Sequence, residues 1–462
     1  MKKLTTIILL LVFAAIIPNA AWAKKQKNDP HENQIQYLNI QWWDEFNDPL
    51  LSEYMLKVFK NNHDLKIAEL KIKEGEQIVK QSIANELPQI GLSGNVERVL
   101  RASDQYFGPN MLIPNFSQTN LLFPISASYE FDIWGLNRTK TKSIQKQLDI
   151  VKEEERAKYI TVTANFAAAY YNLIKCDKLI KIQEELLKTQ NEILRLTKIK
   201  FEAGKCPVTE VIEQEKLQKT FDEDLNTLKK ERTLIEEELR FVLADPEINQ
   251  IEDISQKEIP LVYFPSQIPS DIIESRPDYL MAQKNIERMG LDVKVAKKNF
   301  LPRFIIFGQF GFNAYRLSNL FNNNALLSSV GVAPVLDIFT GGRKLAYLRY
   351  KKYEYEEALE LYKKTVLTSY KEVNDALVSA KIYAKNLKSA LERLELEDKN
   401  YEIAQNLYSS GKGTKPYMLQ SYQRELLVQK DIVDSKANTL ISVIGLYKSV
   451  GGKNLNDIKP NL

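Results

Sequence analysis

The chain has 462 residues, with 64 Lys+Arg against 60 Asp+Glu for a formal charge of +4, and only two Cys and two His. Near-balanced charge disfavours a nucleic-acid binder, which needs a basic face to neutralise phosphates. Two cysteines exclude a disulfide scaffold or a Cys-ligated zinc module, and His31 and His63 leave little material for His-based metal sites or triads. The composition points away from chemistry and towards a scaffold, binder or conduit.

Met1-Lys2-Lys3 is a basic start, residues 7–17 are an unbroken apolar run of eleven, Pro18 ends it, and Ala21-Trp22-Ala23 supplies small residues for cleavage. This is the pattern of a secretory signal peptide, too short for a spanning helix of about 20 apolar residues. The mature chain is expected to begin at Lys24 with its charge lowered to +2, and no cysteine near the cleavage site offers a lipid anchor. No later stretch reaches 18 consecutive apolar residues, so any membrane insertion must use β-strands.

Beyond the leader the sequence repeats itself. Leu87-Pro88-Gln89-Ile90 returns as Leu301-Pro302-Arg303-Phe304, Pro124 as Pro334, Asp132-Ile133-Trp134-Gly135 as Asp337-Ile338-Phe339 before Gly341-Gly342, and Gly204-Lys205 as Gly411-Lys412. Landmarks in one order at offsets near 210 imply one unit used twice, joined around residues 245–270. Each copy reads helix, strand pair, very long helix, tight turn, helix.

In the first copy, strands are expected over about 88–101 and 121–134. Leu121, Phe123, Ile125, Ala127, Tyr129, Phe131 and Ile133 alternate with residues that include Ser126, Ser128, Glu130 and Asp132. In the second they are expected over about 302–315 and 326–339, with Ile305 and Phe307 breaking the polar side of the alternation. Polar loops, 102–120 and 316–325, separate the members of each pair.

Long helices are expected over 138–203 and 342–410, neither interrupted by proline. The second carries an apolar seam of Leu359, Tyr362, Val366, Tyr370, Val373, Leu377, Ala380, Ala384, Leu387, Leu391 and Leu394, a mean step of 3.5 that is the coiled-coil period. The first carries Val162, Phe166, Ala169, Leu173, Cys176 and Ile180. Each rod is about 100 Å long at 1.5 Å per residue, so the molecule is elongated. Both end on Gly, at Gly204 and Gly411, where left-handed φ suits a helix C-terminus, and Pro207 and Pro416 suit the first turn of return helices 207–243 and 416–450.

Four strands of this length suit a bilayer but cannot close a barrel, and an open edge in hydrocarbon leaves backbone groups unpaired. Several chains must then share one barrel: two give eight strands and a filled interior, three give twelve and a lumen.

The residues also resemble a known family. Asp48-Pro49-Leu50-Leu51 with Asn61, Asp64-Leu65 and Ala68, the stretch from Tyr129 to Gly135, and Ile268-Pro269-Ser270-Asp271 with Ser275-Arg276-Pro277-Asp278 are similar to motifs of the TolC family of outer-membrane efflux proteins. So are Pro334-Val335-Leu336-Asp337, Gly341-Gly342-Arg343, Glu372-Val373 and Asp375-Ala376-Leu377. The match lies nearest the branch serving resistance-nodulation-division pumps. The resemblance implies a mainly α fold with membrane β: a homotrimer with a twelve-stranded outer-membrane barrel above an α-helical periplasmic barrel. It also implies a periplasmic adaptor (membrane fusion) protein, an inner-membrane pump and outer-membrane lipid as partners, and no cofactor.

By that resemblance the tips form the gate and meet the adaptor, through Gly204, Lys205, Glu210, Glu213, Tyr408, Gly411, Lys412, Pro416, Tyr417 and Gln420. Relatives often place aspartates after the second tip glycine; residues 412–420 carry no carboxylate here, and Glu210 and Glu213 are the expected substitutes. The implied division is signal 1–23, N-terminal equatorial segment 24–47, first repeat 48–244, join 245–270, second repeat 271–452 and tail 453–462.

Other chemistry is weaker. Ser410-Gly411-Lys412-Gly413-Thr414 lacks the spacing of a phosphate loop and follows a helix. Trp42-Trp43 is expected to pack against the helices. Cys176 and Cys206 lie about 40 Å apart along one rod, too far to pair within a chain, although Cys206 residues of neighbouring subunits would meet at a tip. A protein-secretion channel, a periplasmic coiled-coil adaptor and an exported enzyme are the competing readings.

Overall fold

The computed structural model describes residues 42–99, 105–106, 112–113, 118–245 and 257–452. The expected signal peptide, most of the loop 102–120, much of the join and the tail fall outside the described residues.

Helices α1 (Pro49–Asn61) and α2 (His63–Ala84) meet at a kink made by Asn62. Its side-chain oxygen accepts from Leu65 N at 3.2 Å and its amide donates to Val242 O at 2.8 Å. One buried side chain therefore caps the second helix and fastens the kink to a distant one. Asp48 caps α1 by accepting from Leu50 N and Leu51 N at 3.2 and 3.4 Å.

The first repeat continues with β1 (Gln89–Leu92), β2 (Asn95–Val99), the short pair β3 (Gln105–Tyr106) and β4 (Leu112–Ile113), and β5 (Gln118–Phe131). Helix α3 (Leu136–Glu202) and its return α4 (Val208–Leu243) complete it. The second repeat is α5 (Pro277–Lys298), β6 (Arg303–Ala314), β7 (Leu326–Val335), α6 (Arg343–Ser409) and α7 (Lys415–Ser449). Helices α3 and α6 are each 67 residues long and each is preceded by a left-handed glycine, Gly135 and Gly342.

The structure corrects the repeat offset. Leu136 corresponds to Arg343, Gly204 to Gly411 and Val208 to Lys415, all 207 apart, whereas α2 ends at Ala84 and α5 at Lys298, 214 apart. Strand pairing agrees: Ile90 lies opposite Ala127, and their counterparts Phe304 and Pro334 lie opposite each other. Pro334 is therefore the equivalent of Ala127, and the sequence match of Pro124 to Pro334 is coincidental in structure.

The expected strand 88–101 is split. Residues Ser93 and Gly94 fall opposite Pro124 and Phe123 of β5, where Pro124 has no N–H for the ladder. Ser93 N still donates to Pro124 O at 3.1 Å. Across the other side of β5, Gly311 has no room for a side chain: a Cβ there would sit 2.2 Å from Phe123 O. Strand β7 stops at Val335, short of the expected residue 339, because its partner β6 starts opposite it at Arg303.

Among the described residues all pairings are antiparallel, giving the order β1/β2, β5, β6, β7 with two open edges. Directly opposed residues share a face. One face therefore gathers Ile90, Leu92 and Val96 with Phe123, Ile125, Phe310, Phe312, Val330 and Val332. The other carries Ser126, Ser128, Glu130, Gln309 and Ser329. Phe307, the aromatic that breaks the polar alternation, lies over Gly331 on the neighbouring strand, where a Cβ would come within 2.6 Å of its ring.

Below the sheet, α3 packs against α2, α4, α5 and α7, and α6 against α5 and α7. The main core sits at the level of α1. Trp42, Trp43 and Phe46 are buried there with Leu51, Met55, Phe166, Tyr171 and Tyr447, and Trp42 stacks on Tyr447 at 5.0 Å. The row Val373, Ala380, Leu387 keeps the seven-residue period of α6 buried. Tyr370 and Leu391 of the expected seam are exposed in the single chain, and the adjacent Ser369 and Ala390 are buried instead. The neighbours of α6 change from α5 to α7 along its length, which turns the stripe it presents inward.

Candidate functional site: the helical tips

Both helical hairpins turn by the same hydrogen-bond pattern. In the first, Gly204 N donates to Phe201 O at 2.9 Å and Lys205 N to Lys200 O at 2.8 Å. In the second, Gly411 N donates to Tyr408 O at 3.0 Å and Lys412 N to Leu407 O at 2.9 Å. These are Schellman motifs, which need left-handed φ at the residue after the cap. Gly204 and Gly411 have φ of +64° and +73°, and nothing lies within 4 Å of a Cβ built on either. Glycine is required there by backbone conformation alone. Thr414 then caps α7, accepting from Tyr417 N at 3.4 Å, with Pro416 in the first turn; Pro207 stands one place before α4, as its cap.

The expected site residues Lys205, Glu210, Glu213, Tyr408, Lys412, Tyr417 and Gln420 are exposed at these tips, and Pro416 is half-buried. Cys206 is half-buried and donates to Thr197 O at 3.6 Å. Desolvation and the hydrogen bond with Glu210 raise its thiol above the usual value, as burial raises Cys176 to about 11. Both shifts disfavour the thiolate that disulfide exchange requires.

Sequence reasoning missed what joins the two hairpins. Lys415, the first residue of α7, reaches Glu192 on α3 at 2.7 Å, and Arg195 holds the same carboxylate at 2.7 Å. Hydrogen bonds from Arg195 and then Lys415 lower the Glu192 carboxyl to about 2. Farther along α3, Gln183 and Gln190 are fully buried and seven residues apart. The Gln183 amide donates to Phe221 O on α4 at 2.9 Å, and its oxygen accepts from Lys430 on α7 at 2.9 Å. The Gln190 amide donates to Gln214 Oε1 on α4 at 2.9 Å, and its oxygen accepts from Gln423 on α7 at 3.0 Å. Each glutamine thus bridges one hairpin to the other.

The signal for this ladder lay in the heptad itself. The row Val162, Ala169, Cys176 continues at the same spacing as Gln183, Gln190 and Thr197, all buried. The period holds while the residue type turns polar towards the tip.

At the opposite end of these hairpins, Arg276 is buried and ties three elements together. It donates to Ser449 O at the end of α7 at 2.6 Å, to both oxygens of Asp278, and to Glu372 on α6 at 2.6 Å. Burial works against charge on Asp278, and the Arg276 fork outweighs it, holding the carboxyl below its usual value. The root of the second hairpin is thus fixed by an ionic cluster around the buried Arg276, while towards its free end it is held to the first hairpin by the buried glutamines and, at the tip, by the more exposed Lys415–Glu192 pair. Among the described residues there is no group of three or more potential metal ligands, and no helix long and apolar enough to cross a membrane.

The family model described as outer membrane efflux protein matches residues 57–245 and 268–452. The chain is similar to the toluene efflux pump outer membrane protein TtgC of Pseudomonas putida, 24% identical over 449 residues that span 94% of this chain and 89% of that protein. It is also similar to the pyoverdine export outer membrane protein OpmQ of Pseudomonas aeruginosa, at 23% over 417 residues, covering 89% and 87%. The crystal structure of the Campylobacter jejuni CmeC outer membrane channel matches the fold with a TM-score of 0.80 at 22% identity, covering 89% of this chain and 88% of that one.

Proposed function

This chain belongs to the outer membrane efflux protein family, and from that premise we propose that it is the passive outer-membrane duct of a tripartite export system for drugs or other toxic small molecules. Three copies share one twelve-stranded barrel, and their long helices continue it through the periplasm. A periplasmic adaptor meets the helical tips, and an inner-membrane pump supplies the energy. The leader is removed after about Ala23, leaving an N-terminus without a lipidated cysteine.

The observation that carries this reading is the sheet. Among the described residues its five strands, β1 and β2 end to end beside β5, β6 and β7, have one largely apolar face and two unpaired edges. In a bilayer an unpaired edge costs several kcal/mol per backbone group, so the strands require further strands from other copies. A periplasmic coiled-coil adaptor has no use for such a face. The relative named for toluene efflux supports the choice of cargo class.

The polar bridges between the hairpins support a gate at the tips. At the tip itself the solvent-accessible Lys415–Glu192 pair has a small net energy and exchanges readily with water, so contact with an adaptor is able to shift the balance between two hairpin arrangements. Membrane fractionation tests the proposal. The protein is expected in the outer-membrane fraction as a species of three cross-linked chains; recovery as a soluble periplasmic monomer would overturn it.

A further inference from the structure

The two repeats touch each other within the chain, and a second copy is needed to repeat that contact at the free edges. Inside the chain, β5 of the first repeat pairs with β6 of the second: Ile125 lies opposite Phe310, Tyr129 opposite Ile306 and Phe131 opposite Phe304. The structural offsets convert each pair into its counterpart at the open edges. Adding 207 to the β5 residue and subtracting 214 from the β6 residue gives Val332 opposite Val96, Leu336 opposite Leu92 and Ile338 opposite Ile90.

Every residue in these three derived pairs is apolar and exposed in the single chain; Ile338 is 94% exposed, Leu92 78% and Ile90 71%. The observed pairings place Ile90, Leu92, Val96 and Val332 on the apolar face, and Leu336 and Ile338 continue its alternation. A register shifted by one residue would put these side chains opposite the polar face.

The helices give the same result with different chemistry. The internal seam between α3 and α5 is held by Ser143 donating to Asp292 at 2.5 Å and by Lys146 with Glu287 at 2.6 Å. The counterparts are Tyr350 against Ile78 and Tyr353 against Lys73; all four are exposed in the single chain, where the Tyr350 hydroxyl donates to Glu354 and Lys73 pairs with Glu69. Where the internal seam is polar and ionic, the derived seam sets one tyrosine against an isoleucine and another against a lysine stem.

We propose that residues 326–339 of one copy pair antiparallel with residues 89–99 of the next, with Val332 opposite Val96 of the partner subunit, Leu336 opposite Leu92 of the partner subunit and Ile338 opposite Ile90 of the partner subunit. The segment 336–339, which extends beyond β7 in the single chain, becomes the last part of that strand. This assignment rests on the shared barrel proposed above and adds its register.

Cysteine cross-linking tests it. With Cys176→Ser and Cys206→Ser as background, Val96→Cys is combined with Val332→Cys, Val330→Cys or Pro334→Cys, and membranes are oxidised with copper phenanthroline. Directly opposed strand residues lie within disulfide reach, whereas diagonal ones stand roughly 7–8 Å apart at Cβ. Covalent oligomers are expected to form at least about tenfold faster for the Val332→Cys pair than for either shifted pair. Fastest cross-linking at a shifted pair, or none in protein that still fractionates as an outer-membrane oligomer, overturns the register and leaves the duct standing. A soluble monomer overturns the shared barrel and the register with it.

Discussion

At the scale of single residues, the tip glycines and one buried carboxylate carry testable consequences. A Cβ at Gly204 or Gly411 meets no atom within 4 Å, so substitution is penalised only through left-handed φ. A β-branched residue there costs on the order of 1–2 kcal/mol, and asparagine, which tolerates that conformation, costs less. Gly411→Val is expected to speed proteolysis at the tip about tenfold through local opening, and Gly411→Asn to change it little. Equal cleavage of both variants would contradict the conformational argument.

Glu155 on α3 is buried, and desolvation, with Glu69 nearby, raises its carboxyl to about 6. The folded state therefore holds the proton more tightly than the unfolded one. No penalty exists below the unfolded value of 4.5; it grows as pH rises and is complete above about 6, reaching about 2 kcal/mol. Glu155→Gln should melt at the same temperature as the parent at pH 4 and at a higher one at pH 7.5. A variant less stable at pH 7.5 would show that the charged form has a partner.

At the scale of elements, local signals were legible and distant ones were not. Alternation gave the strands, missing Gly and Pro gave the rods, and Gly followed by Pro gave the turns, because each rests on neighbours in sequence. The split between β1 and β2 was not legible, since it is caused by Pro124 on another strand. The seam of α6 drifted to Ser369 and Ala390 because packing against two different helices decides which residues face inward.

The site was half legible. The tip residues stand where the turn signals put them, but the bridge from Lys415 to Glu192 spans 223 positions and has no local signature. The glutamine ladder did have one: an unbroken heptad whose residue type changes at Gln183. Buried amides that satisfy both neighbours fix hairpin register, as polar residues do in coiled coils, at a cost in apolar burial.

At the scale of the whole molecule, the chain makes one sheet contact between its two repeats, and the proposed duct would supply the matching contact between copies. Among the described residues its sheet has two free edges, and exposed apolar residues line one sheet face while others are spread along the helices. The scarcity of His and Cys suits a tube that moves its cargo without transforming it. Root and tip differ in kind: the Arg276 cluster anchors one end of the second hairpin, and the Lys415–Glu192 pair lightly holds the other.

Conductance of the purified protein in planar lipid bilayers shows whether several copies form a duct closed at the helical tips. The parent is expected to give a small, stable conductance. Lys415→Glu, which sets like charges at Glu192, is expected to raise it several-fold while thermal stability and oligomer size stay unchanged. Inserted oligomers of both proteins that carry no current, or identical conductance in parent and variant, would contradict that duct.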